Sequence, residues 1–372
     1  MREQHTGHIE VYLMSVKKRI IQITVFLLVM FLTFYALFSG RDLGEIGRWL
    51  ARMSPLYLIP SAALAVFFVC AEGFMIWYLL NAMREKKNSL FRCIQYSFIG
   101  FFYSGITPSA SGGQPVQLYY MNKDGNRVSD STVVLMTVAV VYKFVLVVLG
   151  FGILVFWNGP LRAELKHYFP LYLLGLALNV ILVVLILGVM LFPRVIFRIA
   201  KFFEGLLIRM KIWKPSVKRE EKLNGFIESY QQAVVWLGKH KGRLAGVVAM
   251  TFLQRCSLFV LTYMVYLGFG LEGAGAMKVI LLQASVYIAV DMLPLPGAQG
   301  ITELMYQTVF VNVFTGAYLI PSMLVSRGIN FYFLMILSLG VELVNRLILE
   351  RRRRRQRRQP AEDRETEVGK TA

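Results

Sequence analysis

Long apolar runs, each about long enough to cross a bilayer, recur along this chain of 372 residues. A helix rises about 1.5 Å per residue, so about 20 apolar residues span the hydrocarbon core. Backbone polar groups in that core must be paired within the protein, which favours helices. The six clearest runs are Ile20–Phe38, Leu56–Leu80, Thr132–Trp157, Leu171–Phe192, Leu244–Phe269 and Ile329–Leu349. The pattern predicts an all-α, polytopic integral membrane protein.

Composition supports a membrane protein and narrows the range of partners. Hydrophobic residues make up 56% of the chain and charged residues 17%, whereas about 25% of residues are charged in an average soluble domain. A formal net charge of +19 would suggest nucleic acid in a soluble protein. In a membrane protein the same excess of Lys and Arg marks cytoplasmic loops that face anionic lipid. We therefore expect no nucleic-acid partner.

The sequence contains no pattern of catalytic or metal-binding residues. Cys70, Cys93 and Cys256 lie far apart, and neither they nor the four histidines have the spacing of a disulfide or a metal site. No nucleophilic triad, paired carboxylates or phosphate-binding loop is present. We expect no catalytic residue, no metal and no cofactor.

Basic residues predict the orientation of the chain. The segment 193–243 carries 12 Lys or Arg against four Glu, and Lys17–Arg19, Arg84–Arg92 and Arg351–Arg355 are also basic. Such segments stay in the cytoplasm, so both termini are predicted to be cytoplasmic. The predicted domains are a transmembrane domain at 1–350, which includes the basic loop 193–243, and a disordered basic tail at 351–372. Loop and tail are expected to contact the anionic leaflet.

Two further apolar regions, Cys93–Met121 and Ala276–Ile320, are broken by proline and glycine. Basic cytoplasmic segments flank the first region on both sides, so it enters and leaves by the same face. Its 29 residues are too few for two crossings, which need about 40, and we predict a re-entrant hairpin. The second region enters and leaves by the outer face, either as a re-entrant hairpin or as two full crossings. About eight membrane segments result, one or two of them hairpins.

The two broken regions share a crude order of proline, glycine and then glutamine. It occurs in ITPSASGGQPVQLYYM (Ile106–Met121) and in DMLPLPGAQG (Asp291–Gly300). Interrupted segments at corresponding places in two halves of a chain indicate a transporter's binding site. The likeness is weak, so an inverted repeat and a coincidental similarity stand as equal alternatives.

Polar and charged residues in these regions are the candidates for a lipid headgroup site. Non-helical backbone at membrane depth persists where it is buried in protein or lines a cavity. The candidates are Thr107, Ser109, Ser111, Gly112, Gly113, Gln114, Gln117, Lys143, Arg255, Asp291, Gly297, Gln299 and Glu303, with Glu72 and Arg327 as secondary candidates. For each residue the alternative is a structural role, as part of a kink or an ion pair.

Charged residues within the runs are expected to form pairs. Each costs about 2.5–3.5 kcal/mol at the bilayer centre, so it should face the protein interior beside a partner. Lys143 with Glu72, and Arg255 with Asp291 or Glu303, are the predicted pairs. Arg327 begins a run and could instead extend to the interface.

The stretches TPSASGGQPVQLYYM (Thr107–Met121) and LPLPGAQGITE (Leu293–Glu303) resemble two motifs of the lysylphosphatidylglycerol synthase transmembrane family. This family is the flippase-like membrane half of the multiple peptide resistance factor, and the resemblance covers about residues 15–350. It implies a bacterial plasma-membrane protein that binds and moves a phospholipid such as phosphatidylglycerol or lysyl-phosphatidylglycerol. It also implies a link to resistance against cationic antimicrobial peptides.

The motifs depart from the family pattern at three positions. Gln114 and Gln117 stand where the family often has Asp and Arg, and Ala298 stands where a glycine is usual, whereas Glu303 matches the family's glutamate. The missing charged couple counts against lysyl-phosphatidylglycerol as the substrate.

Two other functions compete with lipid movement. One is a lipid-modifying enzyme of the phosphatidylglycerol lysyltransferase type, and the other is a scaffold that presents lipid to a separate lipid synthase. In two-domain relatives a soluble transferase domain follows the membrane half, whereas a short tail follows the last apolar run here. We therefore expect no lysyl transfer by this chain alone.

Overall fold

The computed structural model describes residues 43–83, 87–192, 217–314 and 316–348, together with the single positions 24, 28, 31 and 35. Within these residues the fold is helical and contains no strand. Five segments have the length and apolarity of a membrane crossing: Pro55–Met83, Val128–Phe156, Asn158–Leu191, Lys241–Gly268 and Gly316–Ile348. Each overlaps a predicted run, which confirms the all-α polytopic class. The run Ile20–Phe38 lies almost wholly outside the described residues, as does the whole tail.

The helices of the described ranges are numbered here in chain order. They are α1 (Leu43–Leu50), α2 (Leu58–Met83), α3 (Leu90–Gly105), α4 (Gly113–Lys123), α5 (Val128–Phe156), α6 (Asn158–Leu165), α7 (Phe169–Leu191), α8 (Val217–Lys239), α9 (Lys241–Gly268), α10 (Ala276–Val290), α11 (Ile301–Val309), α12 (Leu319–Arg327) and α13 (334–348). A π-helical turn, Gly328–Phe333, joins α12 to α13.

Each of the two broken regions contains a helical hairpin. The first joins α3 to α4 through a 3-10 turn, Pro108–Ala110, which we name the first tip. The second joins α10 to α11 through Pro296–Ala298, the second tip. The proline and glycine residues that break the apolar runs thus lie at the tips, where helix cannot continue.

The helix lengths fit re-entrant hairpins. α3 and α4 have 16 and 11 residues, or about 24 and 16 Å, and both are shorter than the roughly 30 Å hydrocarbon core. α10 and α11 are shorter still, with 15 and nine residues. For the second broken region, where sequence left two full crossings open, these lengths favour the hairpin.

The hairpins start from opposite ends of the helical bundle. Helices α2 and α9 pack side by side and run antiparallel, because Ser54 donates its backbone N–H to the carbonyl of Gly268 at 2.8 Å while Tyr78 packs on Gly246 at the other end. The first hairpin follows α2 and the second follows α9, so the hairpins approach each other and their tips are in contact. The repeated order of long helix, hairpin and long helix supports an inverted repeat.

The described part of the basic loop is the helix α8, which packs against α5. Tyr230, Ala233 and Leu237 are at most 7% exposed and belong to the core around the first hairpin. The apolar face of α8 therefore packs on protein. Residues 193–216, which carry half of the basic side chains of the loop, lie outside the described residues.

Candidate functional site

A cavity of about 540 Å³ lies where the two tips meet. Both hairpins line it, together with parts of α2, α5, α7, α9, α12 and the π-helical turn. Its volume falls within the range of roughly 300–1,000 Å³ that is usual for small-molecule pockets. Five charged side chains reach its wall: Glu72, Lys143, Arg255, Asp291 and Arg327.

Lys143 and Asp291 form an ion pair between α5 and the end of α10, where the second hairpin turns. The Tyr142 hydroxyl donates a hydrogen bond to the same carboxylate. Both charged side chains are nearly buried, at 10% and 9% exposed. The predicted pairing of Lys143 with Glu72 is therefore wrong. The second hairpin contacts α5 through this pair. Sequence alone does not reveal the contact, because Lys143 and Asp291 lie 148 positions apart in the chain.

Arg255 lies in the cavity wall and has no ion-pair partner among the described residues. It is 4% exposed, and its guanidinium carbon is 4.0 Å from the ring centre of Tyr142 and 4.4 Å from that of Phe68. Its Nη1 donates to the Tyr287 hydroxyl at 3.2 Å. Its Nε has no hydrogen-bond partner in the part of the chain that the structure describes. Cation–π contacts and one neutral hydrogen bond hold the guanidinium in place.

The predicted partners of Arg255 are engaged elsewhere. Asp291 pairs with Lys143, and Glu303 accepts a hydrogen bond from Arg327 Nε at 2.8 Å. The pairing of Arg255 with either carboxylate is therefore wrong. Among the described carboxylates, none lies within 4 Å of the Arg255 guanidinium.

Glu72 lies on α2 and receives a neutral hydrogen bond from the first hairpin. The Gln117 side-chain amide donates to Glu72 Oε1 at 2.6 Å. Gln117 reaches α2 past Gly100, where a Cβ would collide with its amide group. No described cation comes within 4 Å of the Glu72 carboxylate.

Glu303 lies behind the cavity wall and fixes the second tip. It is 3% exposed, and its Oε2 accepts the backbone N–H of Gly300 at 2.7 Å. Arg327, which contacts its other oxygen, also donates from Nη2 to the carbonyl of Gly297 at 3.1 Å. Arg327 is therefore paired inside the protein, and the expectation that it could extend to the membrane interface is wrong.

Thr107 and Gly113 hold the first tip. Thr107 Oγ1 donates to the carbonyl of Tyr103 at 2.7 Å and accepts the backbone N–H of Gly112 at 2.9 Å. A Cβ on Gly113 would collide with Ser104 Oγ and would lie 2.6 Å from the carbonyl oxygen of Gly100. The glycine therefore allows α3 and α4 to approach each other closely.

Each tip ends on an alanine with positive φ. Ala110 has a φ of +54° and Ala298 a φ of +49°. This left-handed conformation suits glycine better than alanine, because the Cβ is crowded against the following peptide. The geometry explains why a glycine is usual at the position of Ala298 in the motif that the sequence resembles.

A second buried polar cluster ties α13 to the first hairpin. The Glu342 carboxylate is 2% exposed and accepts hydrogen bonds from the Tyr103 and Tyr120 hydroxyls, both at 2.9 Å. Arg346 Nε donates to the same carboxylate at 2.6 Å. Glu342 is thus paired in the interior, as expected for a charged residue within a span.

The structure divides the sequence candidates into two groups. Those that line the cavity are Ser111, Gln114, Gln117, Lys143, Arg255, Asp291, Gly297, Glu72 and Arg327. Those that lie outside its lining are Thr107, Gly112, Gly113, Gln299 and Glu303. Gln299 is 1% exposed, and its amide has no partner among the described residues. Nothing is described for the side chain of Ser109.

Sequence reasoning missed several polar residues of the cavity wall. They are Ser104, Tyr142, Gln254, Gln283, Tyr287, Thr302, Ser326 and Asn330. Two signals could have found some of them, because Tyr142 and Gln254 are chain neighbours of charged candidates and Gln283 and Tyr287 lie one helical turn apart. Across the described ranges, no group of three or more His, Cys, Asp or Glu side chains is placed to hold a metal ion.

The chain is similar to proteins of one membrane family. The family model described as "Lysylphosphatidylglycerol synthase TM region" matches residues 19–338, a range that includes both hairpins and the whole cavity lining. The UPF0104 membrane protein PH1989 of Pyrococcus horikoshii is 28% identical over 309 residues, which cover 77% of this chain and 87% of that protein.

Proposed function

The chain belongs to the lysylphosphatidylglycerol synthase transmembrane-region family, and from this premise we propose that it binds a phospholipid headgroup between the two tips and moves the lipid across the membrane. The observation that carries the proposal is the cavity, in which five charged side chains line about 540 Å³ inside an apolar helical bundle. Charged groups within membrane segments are costly and most often mark a substrate path.

The lining suits one end of an amphiphile. Besides the charged residues it contains neutral hydrogen-bonding side chains, such as Gln114 and Asn330, and apolar ones, such as Leu182 and Ile186 on α7. A headgroup can therefore exchange its hydration for protein hydrogen bonds, while the adjoining apolar wall accommodates the start of the acyl chains. The volume suits a headgroup rather than a whole lipid.

The arrangement of the hairpins suggests how access could alternate. They approach the cavity from opposite ends of the bundle, and their tips meet there. Paired interrupted segments around a central site are typical of transporters in which one repeat moves against the other. We propose that separation of a hairpin from its neighbours opens the cavity to one leaflet at a time.

The proposal can be tested in liposomes that contain the purified protein and a phospholipid labelled on an acyl chain, so that the headgroup stays natural. A membrane-impermeant quencher bleaches outer-leaflet label at once, and inner-leaflet label only after it crosses. We expect the protein to accelerate the second phase and Arg255→Ala to abolish that acceleration. The matched control is Arg52→Ala, because Arg52 makes a similar contact, 4.2 Å from the ring of Trp49, but is exposed and outside the cavity.

Absence of acceleration with every lipid in a panel of anionic, zwitterionic and aminoacylated headgroups would contradict lipid movement. If lipid nevertheless copurified with the protein and was lost in Arg255→Ala, a scaffold that presents lipid to a separate synthase would be favoured. We further propose cytoplasmic termini, which the distribution of basic residues supports. The family resemblance is the basis on which we propose a bacterial plasma membrane and a link to cationic-peptide resistance through the charge of the outer leaflet.

A further inference from the structure

We propose that the cavity selects a zwitterionic phospholipid headgroup, with the phosphate at Arg255 and the ammonium group at Glu72. The inference rests on the proposed function and names the substrate class of the same site. It follows from the pairing of each charged side chain at the cavity, considered in turn.

Two of the three cations at the cavity are already neutralised. Lys143 pairs with Asp291, whose carboxylate also accepts the Tyr142 hydroxyl. Arg327 pairs with Glu303 and with the carbonyl of Gly297. These pairs hold the second hairpin to α5 and to α12, so a ligand that recruited either cation would have to break a structural contact.

Arg255 and Glu72 are the two lining charges that lack an ion pair within 4 Å among the described residues. Arg255 is 4% exposed and keeps an unpartnered Nε. Glu72 receives a hydrogen bond from Gln117, which is neutral and leaves the carboxylate charge uncompensated. Both side chains line the same cavity.

A separated pair of opposite buried charges is complementary to a ligand that carries the opposite pair. A buried charge without a partner is energetically costly in a site of low dielectric constant. A ligand that carries both opposite charges removes this cost at Arg255 and also at Glu72. A phosphate takes the guanidinium hydrogen bonds of Arg255, and an ammonium group a few bonds away takes the Glu72 carboxylate.

Other headgroup classes fit the two charges less well. An anionic headgroup without an amine would satisfy Arg255 but bring a phosphate near an uncompensated carboxylate. A lysyl ester has a net positive headgroup and would add a second ammonium group, for which the described lining has no unpaired carboxylate left. The zwitterion alone leaves the cavity and its ligand electrically balanced.

The experiment compares three acyl-labelled lipids in the quencher assay: phosphatidylethanolamine, phosphatidylglycerol and lysyl-phosphatidylglycerol. The unmodified protein should exchange phosphatidylethanolamine fastest. Glu72→Gln keeps the size of the side chain and its hydrogen bond to Gln117, and should slow exchange of phosphatidylethanolamine about tenfold or more while it accelerates that of phosphatidylglycerol. The matched control is Glu164→Gln, since Glu164 pairs with Lys278 outside the cavity.

Gln117→Arg tests the same charge from the other side, because an arginine there would neutralise Glu72 without altering it. Gln117→Arg should also shift the exchange preference of the protein from the zwitterionic to the anionic lipid. This variant replaces Glu72→Gln in the test if Glu72→Gln does not fold. A faster exchange of phosphatidylglycerol or of the lysyl ester by the unmodified protein, or an unchanged order in both variants, would overturn the inference and leave lipid movement standing. Absence of exchange for all three lipids would overturn both.

Discussion

Replacing Asp291 by asparagine removes the charge that neutralises Lys143 deep in the bundle. Loss of one partner of a buried ion pair costs about 3–5 kcal/mol, because the other charge stays buried and uncompensated. We expect Asp291→Asn to cost about 5 kcal/mol, the upper end of this range. Among the described residues, the Lys143 ammonium group would then keep the Met292 sulfur at 3.0 Å and the face of the Tyr142 ring at 4.6 Å, neither of which is charged. Lys143→Met should cost about 3 kcal/mol, the lower end of the range, because the Asp291 carboxylate keeps the hydrogen bond from the Tyr142 hydroxyl.

The double variant Lys143→Met, Asp291→Asn removes both charges and should cost less than either single variant. The coupling free energy is then about 5 kcal/mol or more, well above the deviation from additivity expected of independent sites. The assay is reversible unfolding of the purified protein in mixed micelles, followed by tryptophan fluorescence.

The control is the pair Lys278–Glu164, at 2.6 Å but with the lysine side chain 37% exposed, where each single variant should cost at most about 1 kcal/mol. Additive costs for Lys143 and Asp291, with the double variant the least stable of the three, would refute a buried pair whose members compensate each other.

Three further predictions concern the hairpins and their attachment. Gly113→Ala should lower the midpoint of thermal unfolding, because its new Cβ would collide with α3. The control Gly152→Ala should not lower it, because no atom lies within 4 Å of its new Cβ. Equal midpoints for the two variants would contradict the close approach of α3 and α4. Ala298→Gly should raise stability slightly, by about 0.5–1 kcal/mol, because it relieves the left-handed strain, and a clear loss in the same thermal assay would argue against the positive φ. Glu342→Ala should lower the free energy of unfolding by about 3 kcal/mol or more, because it leaves buried donors without an acceptor. We expect amide hydrogen exchange in α4 to become faster as the first hairpin loosens. Unchanged exchange would show that the Glu342 cluster does not hold the hairpin.

The crossings and the broken regions could be predicted because their signals are local. Twenty consecutive apolar residues determine that a segment crosses the membrane, whatever it packs against. Pro108 and Pro296 likewise act locally, because a proline inside an apolar run removes a backbone donor and prevents the helix from continuing through it. The polar residues of the tips were therefore recognisable as a candidate site, and several of them do line the cavity.

The pairing of charges could not be predicted in the same way. Sequence placed Lys143 with Glu72 and Arg255 with Asp291 or Glu303, and the structure contradicts each pair. Which carboxylate meets which cation depends on the rotation of helices about their own axes and on the depth that each hairpin tip reaches. Neither quantity leaves a periodic trace in a membrane helix that is apolar on all sides.

The sequence by itself determined that this protein is helical, crosses a membrane several times and carries two interrupted segments with polar residues at their turns. The tertiary structure alone decided that the two tips meet and that Glu303 and Thr107 hold them from outside the lining. It also decided that Arg255 and Glu72 line one cavity without an ion pair within 4 Å in the described part of the chain. The physical reason is that hydrophobicity and backbone pairing act on a segment alone, whereas the compensation of buried charge depends on the distances between helices that packing brings together.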